Sequence, residues 1–201
     1  KHVNNCVNID FPQEEQPLVK SAADISADIV QLDFPEESVD SIQLHHVFEH
    51  FSRGVALGLL VNWNRWLKIG GTLEITVPDI YECAKGIGSF CTPLSEKMKL
   101  IRHLAGSHEE DKWSFHLDQW FAERLQHTFK SLNFKQHTTK AFNRDNGVYD
   151  ISIKGTKTEK WNGGILSVEV YKLLKESTLD PCEQPMLDIW YRKYQQTILI
   201  K

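Results

Sequence analysis

Apolar and polar side chains alternate over residues 39–44 (VDSIQL), and again over 72–77 (TLEITV), which predicts two half-buried β-strands. Residues 2–9 (HVNNCVNI) have strand character, ending at Asp10 with Pro12 just beyond, and residues 18–22 allow a further short strand closing near Asp24. Helical spacing takes over at Val55, Leu59, Leu60, Trp63 and Leu67, behind Ser52 as N-cap, and Gly70-Gly71 marks the expected stop. Residues 86–106 read as loop with a short helix at 94–104. A second clear helix is expected over 117–132, with Leu117, Phe121, Leu125 and Phe129 on one face. Strands near 134–139 and 148–155 then pair as a hairpin-like end to a sheet. From Lys160 the pattern changes: Trp161-Asn162-Gly163-Gly164 forms a turn, and amphipathic helices follow at 165–174 and 186–198, separated by Pro181 and Pro185.

Alternation of strand and helix through the first two thirds predicts an α/β fold with a largely parallel sheet. Residues 1–158 are expected to form that unit and residues 159–201 a helical extension or a lead into another fused domain. The composition adds little to this and excludes some classes. The chain has 201 residues, 41% hydrophobic and 25% charged, with a net charge of −4, so no broad basic surface points to nucleic acid or an anionic membrane. Six tryptophans suit packing better than carbohydrate binding. Cys6, Cys83, Cys91 and Cys182 form no CxxC pair, which suits reduced thiols in a cytoplasmic protein. There is no bilayer-length apolar run. The sequence opens on Lys1 rather than Met, and so reads as a piece of something longer.

Three stretches carry a resemblance. Leu32-Asp33-Phe34-Pro35-Glu36-Glu37-Ser38-Val39-Asp40 resembles an "LPFPDNSFD" run, His45-His46-Val47-Phe48-Glu49-His50-Phe51 an "HVLEHF" segment, and Leu67-Lys68-Ile69-Gly70-Gly71-Thr72-Leu73 with Val77-Pro78 an "LKPGGxL…VP" turn. In that order and spacing, with Asn133-Phe134 standing for a later "GF", they are similar to the small class I S-adenosylmethionine-dependent methyltransferases. The likeness covers about residues 7 to 157. It implies a Rossmann-like, mostly parallel sheet with an antiparallel final strand and helices on both faces, here lacking the first strand. It also implies S-adenosylmethionine as cofactor and methyl transfer to a small-molecule or glycan acceptor.

The resemblance assigns roles residue by residue. Asp10, ending the strand that matches the family's second, is expected to accept the ribose hydroxyls, because a carboxylate only accepts. Its other reading is a turn or cap aspartate. Asp24 or Asp28 is expected at the adenine amino group, Asp24 for its place after the strand and Asp28 for its offset from Leu32. Asp40 reads as a structural strand-start residue. His45 is expected to touch the cofactor, and His46 to serve as general base beside the acceptor, since histidine titrates near neutrality; the other reading is that one of the pair is a satisfied buried histidine. His116 is a second candidate base. The family's acidic residue and GxGxG-like loop have no counterpart, for Gly86-Ile87-Gly88 falls after the fifth strand of the family order.

Two rival readings stand beside this one. His46-Val47-Phe48-Glu49-His50 also fits HxxEH, in which histidines four apart on a helix hold zinc and the glutamate acts as base. A decayed methyltransferase fold used as a non-catalytic interaction module is the other. The basic residues Lys97, Lys99, Arg102, His103 and His108 read either as a solvated helix face or as an anion-recognising lid.

Overall fold

The computed structural model describes residues 4–11, 23–108 and 112–199. Its strands are β1 (Ile9–Asp10), β2 (Ile25–Ser26), β3 (Val39–His45), β4 (Leu67–Pro78), β5 (Phe134–Asn143) and β6 (Tyr149–Lys157), and its helices are α1 (Arg53–Trp66), α2 (Ile80–Gly88), α3 (Leu94–Ala105), α4 (Ala122–Ser131), α5 (Gly163–Lys175) and α6 (Gln184–Leu199). β3, β4, β6 and β5 lie side by side in that order. β3 and β4 pair in parallel, while β6 runs antiparallel to both of its neighbours. β5 therefore shares the direction of β3 and β4, and the last strand of the chain is the reversed one. This is the Rossmann-like α/β arrangement expected. β1 and β2 form a separate short parallel pair, with Asp10 opposite Ser26. The possible strand at 18–22 lies outside the described residues; Asp24 directly precedes β2.

The apolar positions that defined the elements meet in one core. Leu73, Ile75 and Val77 of β4, Ile151 and Ile153 of β6, Leu59, Leu60 and Trp63 of α1, and Leu125 and Phe129 of α4 are all buried there. Leu166, Val170 and Leu174 of α5 and Leu187 and Tyr194 of α6 belong to the same cluster, so the C-terminal helices pack onto α1. Burial of each such side chain stabilises by about 1.5–3 kcal/mol. The tryptophans serve this packing: Trp63, Trp66 and Trp120 are buried, and Trp113, Trp161 and Trp190 lie against the cluster.

Four element boundaries differ from the sequence expectation. Of the strand read over residues 2–9, residues 4–6 form a turn and bend, and only Ile9 enters β1. α1 ends at Trp66 instead of reaching Gly70-Gly71, and β4 begins at Leu67. Leu67 is buried in register with the helix stripe, so the periodicity does not mark the change; the pairing then jumps from Val39↔Leu67 to Ser41↔Thr72, a bulge that takes up residues 68–71. Gly70 sits in it at φ +85°. Residues 80–88 form α2, an element not expected from the sequence, so the loop expected from Gly86 starts only after Gly88. Asp79 caps that helix by accepting from Tyr81 N at 3.0 Å and Glu82 N at 3.3 Å, and Asp79 with Glu82 is an acidic variant of the capping-box spacing. The helix expected from 117 begins at Ala122. Leu117 N and Asp118 N both donate to the Glu49 carbonyl, at 2.8 and 3.2 Å, which holds 117–118 in a bend outside the helix and leaves Leu117 exposed.

The α1–α6 contact depends on small residues. A Cβ at Gly54 would fall on the Trp190 carbonyl oxygen, and one at Gly58 would lie 2.7 Å from Thr197 Cβ. Helix propensity alone makes Gly54→Ala stabilising by about 1 kcal/mol. The contact reverses the sign, and we expect a net loss of about 1–3 kcal/mol from overpacking, read as a lower urea midpoint. An unchanged or raised midpoint would mean that α6 does not pack on α1 in solution.

Candidate active site

The site starts where β3 ends. His46, directly after the strand, takes φ +53°, a left-handed conformation that costs a non-glycine residue about 1–2 kcal/mol. Its N–H donates to Thr76 O at 3.0 Å, pinning the turn to β4. The chain then drops Phe48 into the core and closes a 3-10 turn over Phe48–His50 before α1. His46, at a left-handed φ, stands before this short turn and His50 ends it, so no helix carries the two. The HxxEH geometry, with both histidines on one helical face, is therefore not formed.

His46 lies between two carboxylates: Nδ1 is 3.1 Å from Glu49 Oε1, and Nε2 is 2.9 Å from Asp150 Oδ2. Asp150, near the start of β6, has no solvent exposure and also takes His103 Nε2 of α3 at 2.8 Å. Arg144 Nε stands 3.6 Å from Asp150 Oδ2. Burial lowers the proton affinity of His46, but hydrogen bonds to Asp150 and Glu49 outweigh it and push the pKa up to about 9. Burial likewise works against the Asp150 carboxylate, yet the hydrogen bonds from His103 and His46 hold it well below the usual range. At neutral pH the pair is imidazolium and carboxylate, with both His46 nitrogens donating. Protonated in this way, His46 is placed to donate a hydrogen bond and to hold charge, not to act as the general base anticipated for it.

His116 has the opposite character. Desolvation, with Glu49 opposing it and His50 adding to it, lowers its pKa to about 4, so its ring is neutral at pH 7. Its Nε2 is 4.0 Å from Glu49 Oε1, and its ring meets that of His50 edge-on at 4.8 Å. His46, His50, His103, His116, Arg144 and Trp113 are among the walls of a cavity of about 210 Å³. It opens beyond the carboxyl ends of β3 and β4, where ligands bind in open α/β sheets.

Of the residues singled out in the sequence, His46 and His116 thus meet in one cavity. Asp10, Asp24, Asp28 and His45 do not line it. Asp10 ends β1, and its Oδ1 accepts from Phe11 N at 2.8 Å; the Phe11 ring stacks 3.8 Å from Trp113, a cavity wall, so Asp10 borders the same region. Asp24 Oδ2 accepts from Asn8 N and Nδ2, at 2.8 and 3.0 Å, and laces the β1–β2 pair. Asp28 caps the 3-10 turn Ile29–Gln31 through Val30 N at 2.9 Å. His45 is exposed, 4.7 Å from the His46 ring, and its pKa is lowered by burial of the ring and by the His46 charge. Within the basic run, Arg102 and His103 reach the cavity, whereas Lys97 and Lys99 do not line it. Asp150 was missed. Its one signal was an acid inside the apolar strand VYDISI, a charge that needs a buried partner.

Residues 1–75, from before β1 into β4, match the family model described as "Methyltransferase domain". No protein of curated function matches the chain. Among solved structures it is similar to the Burkholderia thailandensis 1,6-didemethyltoxoflavin-N1-methyltransferase with bound 1,6-didemethyltoxoflavin and S-adenosylhomocysteine (13% identity, TM-score 0.46, covering 69% of this chain and 53% of that one). It is also similar to a SAM-dependent methyltransferase from Methanosarcina mazei (15%, 0.44, covering 76% and 81%). An O-methyltransferase family 2 protein from Planctomyces limnophilus in complex with apigenin is a third (16%, 0.43, covering 67% and 35%). The chain spans about half the length of the first of these. All three scores are below 0.5, and the likenesses are partial.

The two histidines give stability opposite pH slopes. His46, with its folded pKa raised, stabilises fully below about pH 6.5 and loses that contribution as pH rises through 9. His116, with its folded pKa lowered, resists protonation, so stability falls as pH drops from about 6.5 toward 4. The melting temperature should therefore peak near pH 6–7. His46→Gln should flatten the alkaline limb, removing on the order of 2 kcal/mol below neutrality, and His116→Gln should flatten the acid limb. An alkaline limb unchanged in His46→Gln would rule out the charged pair.

Proposed function

We propose that this chain, whose first 75 residues carry the methyltransferase-domain pattern, takes part in S-adenosylmethionine-dependent methyl transfer to a small-molecule or glycan acceptor. The observation that carries the proposal is the coincidence of that match with a histidine-lined cavity at the carboxyl end of β3, to which the matched stretch contributes His46 and His50. Residues 1–158 form the transfer unit in this reading, with 159–201 bracing it through α1.

The residues near the rim fit the cofactor by their chemistry. Asp10, half-buried and next to the Phe11–Trp113 stack, offers a carboxylate suited to ribose hydroxyls beside an aromatic wall. Asp28, half-buried, suits the adenine amino group better than the exposed Asp24. His45, exposed at the end of β3, would face the methionine arm. When bound, S-adenosylmethionine supplies a methyl carbon that its sulfonium already makes electrophilic. The chain's own residues are left to align the acceptor and exclude water. The cavity, at about 210 Å³, is below the ~300–1,000 Å³ of whole-ligand sites, which suits the reacting end of an acceptor. There neutral His116 would accept a proton from a hydroxyl or amine, while charged His46 and Arg144 would hold an electron-rich acceptor group. No helix among the described residues is long and apolar enough to cross a membrane, and the acidic net charge gives no support to a nucleic-acid acceptor.

Calorimetry with S-adenosylhomocysteine should give one binding event per chain. Asp10→Asn should weaken it by about 10–100-fold, the worth of a hydrogen bond to a charged group. His116→Gln should leave that affinity unchanged and slow transfer of labelled methyl into small-molecule or glycan fractions by about 10²-fold. Absence of any binding heat would sink the proposal and favour a non-catalytic interaction module.

A further inference from the structure

Below His46 lies a second group of donors that methyl transfer does not use as a set. His50 Nδ1 donates to the Phe115 carbonyl at 3.0 Å, so the lone pair of this ring sits on Nε2. A histidine whose other nitrogen is tied to a backbone carbonyl is in the tautomer of a metal ligand. Glu49 is only 1% exposed. Its Oε1 is taken by His46, and its Oε2 has no hydrogen-bond partner. A buried carboxylate oxygen without a partner is costly. His116 is also short of a partner, at Nδ1. One donor atom from each of Glu49, His50 and His116 lies within 4.8 Å of the others.

We infer that Glu49, His50 and His116 form a binding site for a divalent cation of the zinc class. Two imidazoles and one carboxylate are a borderline donor set, suited to Zn2+ or Co2+; Mg2+ and Ca2+ prefer all-oxygen sets. Three protein ligands with one open side toward the cavity leave a fourth position for water or an acceptor oxygen. Bonds of ~2.1 Å in tetrahedral geometry set donors about 3.4 Å apart, so loading draws the cluster together from separations of up to 4.8 Å. The two ligand-bearing segments are already joined, because the Glu49 carbonyl takes both Leu117 N and Asp118 N. His46 acts one layer out by orienting the Glu49 carboxylate. The site differs from the HxxEH pattern in that His116, distant in sequence, replaces His46. It stands independently of the methyl-transfer proposal. Where that proposal holds, cation binding and proton acceptance exclude each other at His116, since both use its lone pair.

Titration of the intact protein with Co2+ should produce the intense visible absorption of tetrahedral coordination, and Zn2+ should displace it at one ion per chain. His50→Ala and His116→Ala should each weaken binding by more than the ~10–100-fold that loss of an outer-layer partner costs. Glu49→Gln should weaken it by a comparable factor. His137→Ala, at an exposed histidine bonded to Thr156, should change nothing. Wild-type protein that gives neither absorption nor heat overturns the inference, as does binding that survives loss of His50 and His116 or disappears with His137. If circular dichroism shows the alanine variants unfolded, X-ray absorption of the Zn2+-loaded wild type decides: two imidazoles and an oxygen support the site, and any other ligand set refutes it. S-adenosylhomocysteine titrated into the same protein reads the methyl-transfer proposal separately.

Discussion

An anion with no access to water has to be neutralised by the protein around it, and at Asp150 three separate elements do so. His46 comes from the end of β3, His103 from the last turn of α3 and Arg144 from the turn before β6. Had any of these been missing, the buried charge would cost several kcal/mol, so the carboxylate enforces their arrangement. The rest of the site follows. With His46 turned toward Asp150 and charged, its other nitrogen orients Glu49, and Glu49 in turn faces His116 and His50. One buried carboxylate thus sets which histidine is protonated and which stays neutral.

Those two histidines look alike as residue types, and only Glu49, three positions after His46, separates them locally. Their difference comes from Glu49 and the sequence-distant Asp150 for His46 and from burial without a full set of partners for His116. A left-handed residue at the end of β3 is part of the same arrangement. The strain at His46 is held by its backbone bond to Thr76 and by the buried Phe48 two residues on.

What could be read in the sequence was whatever depends on periodicity. β3, the body of α1, the β5–β6 pair and the two C-terminal helices stand where alternation or helical spacing placed them. The parallel direction of β3 and β4 with a reversed last strand agreed with the resemblance. The failures have local physical causes. Leu67 continues the helix stripe while its backbone is already extended, so the start of β4 was hidden. α2 begins with a cap, Asp79, at a place where Pro-Asp reads as a strand end. Residues 117–118 are held in a non-helical bend by a carbonyl almost seventy positions away, which no window along the chain contains. At the site, His46 and His116 were legible as chemistry-bearing residues, but the role foreseen for His46 was not, because Asp150 sits in a strand whose neighbours suggest only packing.

Because β6 runs back between β4 and β5, the short hairpin turn after Asn143 emerges at the same rim as the ends of β3 and β4. Arg144 opens that turn and Asp150 follows it. The turn is also free of the strand pairings, so residues added to it would extend one wall of the cavity without shifting any strand against its neighbour. The shape of the cavity can therefore be altered at this loop while the framework that holds the histidines stays in place.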